Sequence, residues 1–238
     1  MLVVMPIGGQ AKRFTAKGYT FPKPLIPIRN KPMLQWAVES LNMPWAHHIF
    51  VCHQDDVRTY PMRQICAQLT PQQTLVVEET RQGAATAVLR GLQDVFPPTE
   101  NVLIANCDQW LQWDANEFYR RTPGVDGLIP VFPSAHPKWS YAQVNEAGQV
   151  VAVAEKQPIS PWATCGLYYW KTVRAFREAA QQMMADPTKQ VNGEWYVAPV
   201  YNELIARGGN VRLYTEVDMW SMGTPEDLEE FKLRVCRP

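Results

Sequence analysis

Near its start the chain carries LVVMPI, an unbroken apolar run that leads straight into Gly8-Gly9. A short run with no polar alternation reads as a strand buried on both faces. Strands of that kind occur where helices cover a sheet from both sides, so this segment narrows the fold more than any other. The pattern recurs in HIFVCH, TLVVEE, NVLIANCD and GLIPVF. Helical stretches lie between these strands. PMLQWAVESL has Pro32 in its first turn. Asp55 and Asp56 can cap the next helix, whose apolar positions include Val57, Met62, Ile65 and Leu69. GAATAVLRGLQDVF and residues 114–121 supply two more.

Strand and helix in alternation predict an α/β protein: a three-layer αβα arrangement around a mostly parallel, Rossmann-like central sheet. Beyond residue 133 the pattern becomes mixed. YAQV and VVAVAE predict a hairpin that turns between Asn145 and Gly148, CGLYYW a strand, 171–185 a helix, VAPVYNELIARGG a helix, NVRLYTEV a strand and PEDLEEFKLRV a helix opened by Pro225. These read as extra strands on the same sheet. Twenty prolines and thirteen glycines are spread through all 238 residues, with no one linker among them, so a single domain over 1–238 is expected, with halves 1–133 and 134–238.

Lys+Arg and Asp+Glu are both 23, and this balance removes the main sequence argument for nucleic acid or a membrane surface as partner. No apolar run approaches the roughly 18 residues needed to cross a bilayer. MLVVMPIGG has no basic segment before its apolar run, so no signal peptide is expected. The five cysteines are an odd number without metal-ligand spacing and sit mostly in apolar segments, which suits a reduced, cytoplasmic setting. His47, His48, His53 and His136 form no ligand spacing either. Composition leaves the oligomeric state open, a homo-oligomer included.

The chemistry concentrates in MPIGGQAKRFTAKGYTFPKPLIPI. Glycines at a strand end let the backbone come close to a ligand and aim successive N–H groups at phosphate oxygens. Lys12, Arg13, Lys17 and Lys23 add charge. Ligands of open α/β sheets bind at the carboxyl ends of the strands, where this loop lies. A phosphate site at Gly8 and Gly9 is the inference; a solvated basic loop is the plainer alternative. Neither GxxxxGK[ST] nor GxGxxG is present. Asp108, after a buried strand, either caps a turn or holds a metal. Trp110, Trp113 and Trp139 suit packing better than ligand stacking.

The segment resembles the signature of the sugar-phosphate nucleotidylyltransferases, approximately A-G-x-G-[ST]-R followed by P-K-P. Here it is G-G-Q-A-K-R, then Pro22-Lys23-Pro24, with Ala11 in place of the second glycine. Further matches follow in order: QGAATAV (82–88), NVLIANCD, the Glu155-Lys156 of VVAVAEK, CGLYYW, NGEWYVAPVYNELI and DMWSMGTPEDLEEF. The resemblance covers most of residues 2–231. It implies the nucleotide-diphospho-sugar transferase type of fold, with 1–133 binding nucleotide and 134–238 binding the acceptor. The reaction it implies condenses an NTP with a sugar phosphate or other small phosphate, releasing pyrophosphate, as in the making of surface polysaccharide precursors.

By that resemblance Arg13 and Lys23 are the catalytic cations. Gly8, Gly9, Gln82 and Gly83 bind the nucleotide, and Glu155, Lys156, Gly166 and Glu194 bind the acceptor. Asp108 holds Mg²⁺. The second metal aspartate of the family is replaced by Ser221, with Asp218 three positions earlier, so both stand as further candidates. Glu78 lies where relatives that transfer uridylyl or thymidylyl groups carry a base-reading Gln. An ionised Glu only accepts hydrogen bonds, which favours cytosine N4–H, then guanine. CTP is therefore expected first and GTP next, and AKGYTFPKPLI with NCDQ resembles a capsule-associated cytidylyl branch. A glycosyltransferase on a similar sheet and a nucleotide-sensing regulatory module are the alternatives. The former lacks its Asp-x-Asp at Asp108-Gln109-Trp110, and the latter draws on Ala11 and Ser221.

Overall fold

The computed structural model describes residues 1–93 and 96–236. Leu2–Pro6 is an inner strand of a ten-stranded sheet, two strands from the Gln73–Glu78 edge. Its neighbours Val102–Ala105 and His47–His53 run parallel to it, and Gln73–Glu78 runs parallel to the latter. Alternation along Leu2–Pro6 feeds both sides of the sheet. Val3 and Met5 join a core with Leu34, Phe118 and Phe231, while Leu2 and Val4 join a second core with Val88, Phe176 and Tyr201. Two apolar faces on one strand explain the continuous apolar run and make the three layers.

Leu167–Trp170 pairs antiparallel with Val102–Ala105 and turns the sheet into its mixed half. From there the order runs through Gly127–Pro133, Trp162–Thr164, Ser140–Val144 and Val150–Glu155, with Val211–Tyr214 parallel to Gly127–Pro133. The hairpin expected around 145–148 is the pair Ser140–Val144 and Val150–Glu155. One sheet thus runs through both halves of the sequence.

Several boundaries differ from the sequence pattern. The helix expected after HIFVCH is two, Gln54–Thr59 and Met62–Leu69, parted at Tyr60-Pro61, because Pro61 cannot donate to the helix ladder. His53, not Asp55 or Asp56, caps the first through its ring nitrogen; the two aspartates lie in its first turn. The helix expected over 83–96 runs Ala84–Gly91, and positions 94–95 lie outside the described residues. NVLIANCD is extended only over Val102–Ala105, which leaves Asp108 in the turn beyond the strand end. Gln109–Trp113 and Val217–Ser221 form an unforeseen antiparallel pair that aligns Gln109 with Ser221. Trp110 and Trp113 pack on Phe231 and Phe118, as expected of core aromatics.

No helix among the described residues is long and apolar enough to cross a membrane. All five cysteines are free and buried.

Candidate active site

Two adjoining hollows open at the carboxyl ends of the parallel strands. The larger is a cleft of about 710 Å³ walled by the glycine loop; the smaller, about 180 Å³, lies under the mixed half of the sheet. Residues after Gly9 turn into a one-turn helix, Lys12–Thr15, which buries Phe14 and leaves Lys12 and Arg13 exposed. Ala11, where the resemblance expects glycine, holds φ 50° and ψ 32°. The loop therefore keeps a left-handed turn that glycine would adopt without strain.

Lys23 opens a turn of 3₁₀ helix, Lys23–Leu25, pinned by buried Pro24. Its ammonium donates to Asp108 Oδ2. Burial alone would lower the Lys23 pKa, but the charge of Asp108, helped by Cys107 and the hydrogen bond itself, raises it above its ordinary value. Lys23 is a cation at any neutral pH. Arg13, Lys23 and Glu155 all line both hollows, so the two catalytic candidates stand where the hollows join.

The nucleotide candidates divide. Gly8, Gly9, Glu78 and Gly83 line the larger cleft. A methyl group at Gly8 would stand 2.8 Å from Glu78 Oε1, so the absence of a side chain there lets the carboxyl reach the cleft wall. Glu78 is 8% exposed, and burial pushes its pKa up to about 7 against the pull of Arg81 and Arg90. Gly83, at φ 117°, would place a methyl group 2.4 Å from the backbone N and O of Trp195. Gln82 is exposed and lines neither hollow; its carbonyl accepts from the Trp195 N–H at 2.9 Å. The Gln82 side chain is thus not brought to the cleft, because its backbone serves the same Trp195 contact as Gly83.

The acceptor candidates divide too. Glu155 and Gly166 line the smaller cavity, whereas Lys156 and Glu194 line the larger cleft. The Glu155 side chain is 6% exposed and accepts from the Ser140 hydroxyl; burial raises its pKa against the pull of Ser140 and Lys156. Lys156 donates to the Tyr196 hydroxyl at 2.6 Å. Glu194 is exposed in a tight turn, bridged to Val191, rather than opening a helix. Gly166 leaves room for the Gln109 amide, 2.0 Å from where a methyl group would sit. Gln109 is buried in the wall of the smaller cavity, and its Oε1 has no hydrogen-bond partner among the described residues.

Of the three metal candidates, Asp108 and Ser221 line the smaller cavity. Asp218 is exposed, opposite Gln112 on the pair of strands, and lines neither hollow. Ser221 is committed elsewhere. Its hydroxyl donates to Asp227 Oδ2 at 2.9 Å and accepts from the Gly223 N–H at 3.1 Å. Gly223 leaves open the space beside Asp108, since a methyl group would stand 3.1 Å from Asp108 Oδ2. No cluster of three or more His, Cys, Asp or Glu that could hold a metal occurs among the described residues. The donor set nevertheless fits Mg²⁺, which commonly takes one or two carboxylates and completes its shell with phosphate and water oxygens.

The alignment of known families settles the relationship, because residues 3–190 match the MobA-like NTP transferase domain. The chain belongs to that family. Around this NTP transferase domain stand proteins of sugar-phosphate nucleotidylyl transfer. A candidate mannose-1-phosphate guanyltransferase from Sulfolobus acidocaldarius is 23% identical over 170 residues, 69% of this chain and 46% of that protein, so the match spans about half of the relative's length. A nucleoside-diphosphate-sugar pyrophosphorylase from Vibrio cholerae RC9 superposes with a TM-score of 0.82 at 25% identity, covering 98% of this chain and 100% of that one. A candidate glucose-1-phosphate thymidylyltransferase from Bacillus anthracis shares the fold, with a TM-score of 0.78 at 16% identity over 97% and 93% of the two chains. The three-layer architecture and the family resemblance expected from the sequence are both borne out.

Proposed function

We propose that the chain transfers a nucleotidyl group from an NTP to a small phosphorylated acceptor and releases pyrophosphate. The observation that carries this reading is the Lys23–Asp108 pair, set where the cleft walled by the glycine loop meets a second cavity. An acceptor phosphate oxygen attacks the α-phosphorus, and the bond from the α-phosphorus to the bridging oxygen breaks. The nucleophile is already anionic, so no general base is needed. The barrier is charge repulsion and misalignment, which fixed cations address.

In this reading the N–H groups of Gly8 and Gly9, with Arg13, hold the β- and γ-phosphates. Lys23 bridges the α-phosphate and the incoming phosphate. Asp108 would hold Mg²⁺, which as a Lewis acid stabilises charge on the phosphate oxygens. Glu155 and Gln109 face the acceptor. The unpartnered Gln109 Oε1 calls for a hydrogen-bond donor, which a hydroxyl or amine on the acceptor supplies. Lys156 and Glu194 line the nucleotide cleft and serve the acceptor only where it reaches that rim.

Glu78 supports CTP as the favoured nucleotide, with GTP next. Ionised, it accepts from cytosine N4–H; protonated, it donates as a glutamine does. The preference for CTP over UTP therefore strengthens above pH 7. A cytoplasmic place in making surface polysaccharide, with halves 1–133 for nucleotide and 134–238 for acceptor, completes the reading. The test is pyrophosphate release from the four NTPs with Mg²⁺ and a panel of mannose 1-phosphate, glucose 1-phosphate and choline phosphate. Transfer from a nucleotide sugar without pyrophosphate would indicate a glycosyltransferase instead.

A further inference from the structure

Neither the glycine loop nor the matched motifs contain Lys138, on the loop before Ser140–Val144. Among the described residues, three cations line both the larger cleft and the smaller cavity: Arg13, Lys23 and Lys138. In the nucleotidyl-transfer reading two substrates bound in separate hollows react where the hollows join, which sets all three cations beside the reacting phosphates. Arg13 and Lys23 come from the nucleotide side. Lys138 comes from the second half of the sequence, on the loop that also brings Trp139 and Ser140 to the smaller cavity.

Its ammonium is held in place. Lys138 Nζ donates to Asp227 Oδ1 at 2.6 Å and lies 4.5 Å from the centroid of the Trp139 ring. The other oxygen of Asp227 accepts from Ser221 at 2.9 Å. The backbone beneath is fixed as well: Lys138 N–H donates to His136 Nδ1 at 3.2 Å, and the Tyr141 hydroxyl donates to His136 O at 2.7 Å. Burial would raise the Asp227 pKa, but the hydrogen bonds from Lys138 and Ser221 hold it below its ordinary value. Asp227 is thus an anion at neutral pH, and its bond to Lys138 is charge-assisted.

We propose that Lys138 is a further catalytic residue, the cation that binds the acceptor's phosphate, and that Asp227, oriented by Ser221, is its positioning residue. This rests on the nucleotidyl-transfer reading above. It gives Ser221 a purpose in place of metal ligation. An ammonium suits the task because it offers three donors as a compact charge and can bind the two non-attacking oxygens. Lys138 forms no bond and gives up no proton. It offsets the charge that would otherwise repel the acceptor from the NTP.

The experiment titrates the full chain with inorganic phosphate and, separately, with CTP and Mg²⁺ in a calorimeter. Lys138→Ala is expected to weaken phosphate binding by about tenfold or more, the size of one lost charged hydrogen bond. Its CTP affinity should change by less than about threefold. Lys138→Arg should restore most of the phosphate affinity. Asp227→Asn should weaken phosphate less than Lys138→Ala does, and should add nothing in the Lys138→Ala background. Melting curves check that each variant folds; Lys138→Met, which keeps the stem on Trp139, reads the same loss if Lys138→Ala melts early. Phosphate bound by Lys138→Ala as by wild type, or CTP weakened as much as phosphate, would overturn the proposal. The broader reading fails by a different sign: no pyrophosphate from any NTP and acceptor with the wild-type chain.

Discussion

Lys23 and Asp108, 85 positions apart in sequence, meet in the cleft through a charge-assisted hydrogen bond. The contact joins the 3₁₀ turn Lys23–Leu25 to the turn after Val102–Ala105. It sets a cation and an anion side by side where the proposed reaction takes one for phosphate and the other for metal. Each side chain is about one-fifth exposed, so the pair is open to substrate while partly shielded from water.

Removal of the cation is the sharpest local test of that relationship. Lys23→Ala should lower turnover by about 100-fold or more, as loss of one transition-state donor does. The fold should survive, with a melting curve near that of wild type. Because the folded pKa of Lys23 is raised, the stability given by the pair is full below 10.5 and lost only as pH rises through the higher folded value. Melting temperatures of wild type and Lys23→Ala should therefore differ by a constant amount between pH 6 and 9.

Glu78 should make the protein less stable as pH rises. Its folded pKa of about 7 lies above its ordinary 4.5, so the folded state binds the extra proton between those values. Stability then falls from pH 4.5 to 7 and levels off above, by an amount of order 3 kcal/mol. Glu78→Gln, which keeps the shape without the charge, should remove that slope. Urea unfolding of both proteins between pH 5 and 8 measures it, and parallel slopes would contradict the assignment.

The same group should tune the base. The ratio of kcat/KM for CTP to that for UTP should climb as pH passes 7 in wild type, since only the ionised carboxyl refuses uracil O4. The ratio cancels ionisation of the triphosphate tails. In Glu78→Gln it should be flat and shifted toward UTP. No change of base preference in that variant would remove Glu78 from the base site.

Much of this is legible in the amino-acid sequence alone. Apolar runs without alternation gave the buried parallel strands Leu2–Pro6, His47–His53 and Val102–Ala105, and Gly8-Gly9 with Lys23 pointed to the cleft that these residues line. What escaped depends on contacts between distant segments. Nothing local to Lys138 or Asp227 marks them as partners, because the bond joins residues 89 positions apart. The strands Gln109–Trp113 and Val217–Ser221 escaped because each is only five residues long and its partner lies far off in the sequence. Gly83 was legible as a glycine that mattered but not why, since its neighbour is the backbone of Trp195.

Asp108 and Ser221 should separate cleanly. Asp108→Asn should abolish Mg²⁺-dependent turnover and weaken Mn²⁺ binding followed by spin resonance. Ser221→Ala should leave Mn²⁺ affinity near wild type, because its hydroxyl is spent on Asp227 and Gly223. Equal loss in both variants would restore Ser221 as a ligand.

Gly83→Ala should be severely destabilising. Its φ of 117° disfavours any side chain, and the methyl group would overlap immobile backbone rather than a flexible side chain. A loss of about 3 kcal/mol or more follows from strain and overpacking together. Urea unfolding at pH 7 measures it, and a wild-type midpoint would contradict the contact.

The central claim is nucleotidyl transfer at the junction of the two hollows, and pyrophosphate release tests it most directly. With Mg²⁺, the four NTPs and small phosphate acceptors, the wild-type chain should release pyrophosphate only when an NTP and an acceptor are both present, most readily with CTP. Absence of pyrophosphate from every pairing, or its release at the same rate without acceptor, would contradict the account.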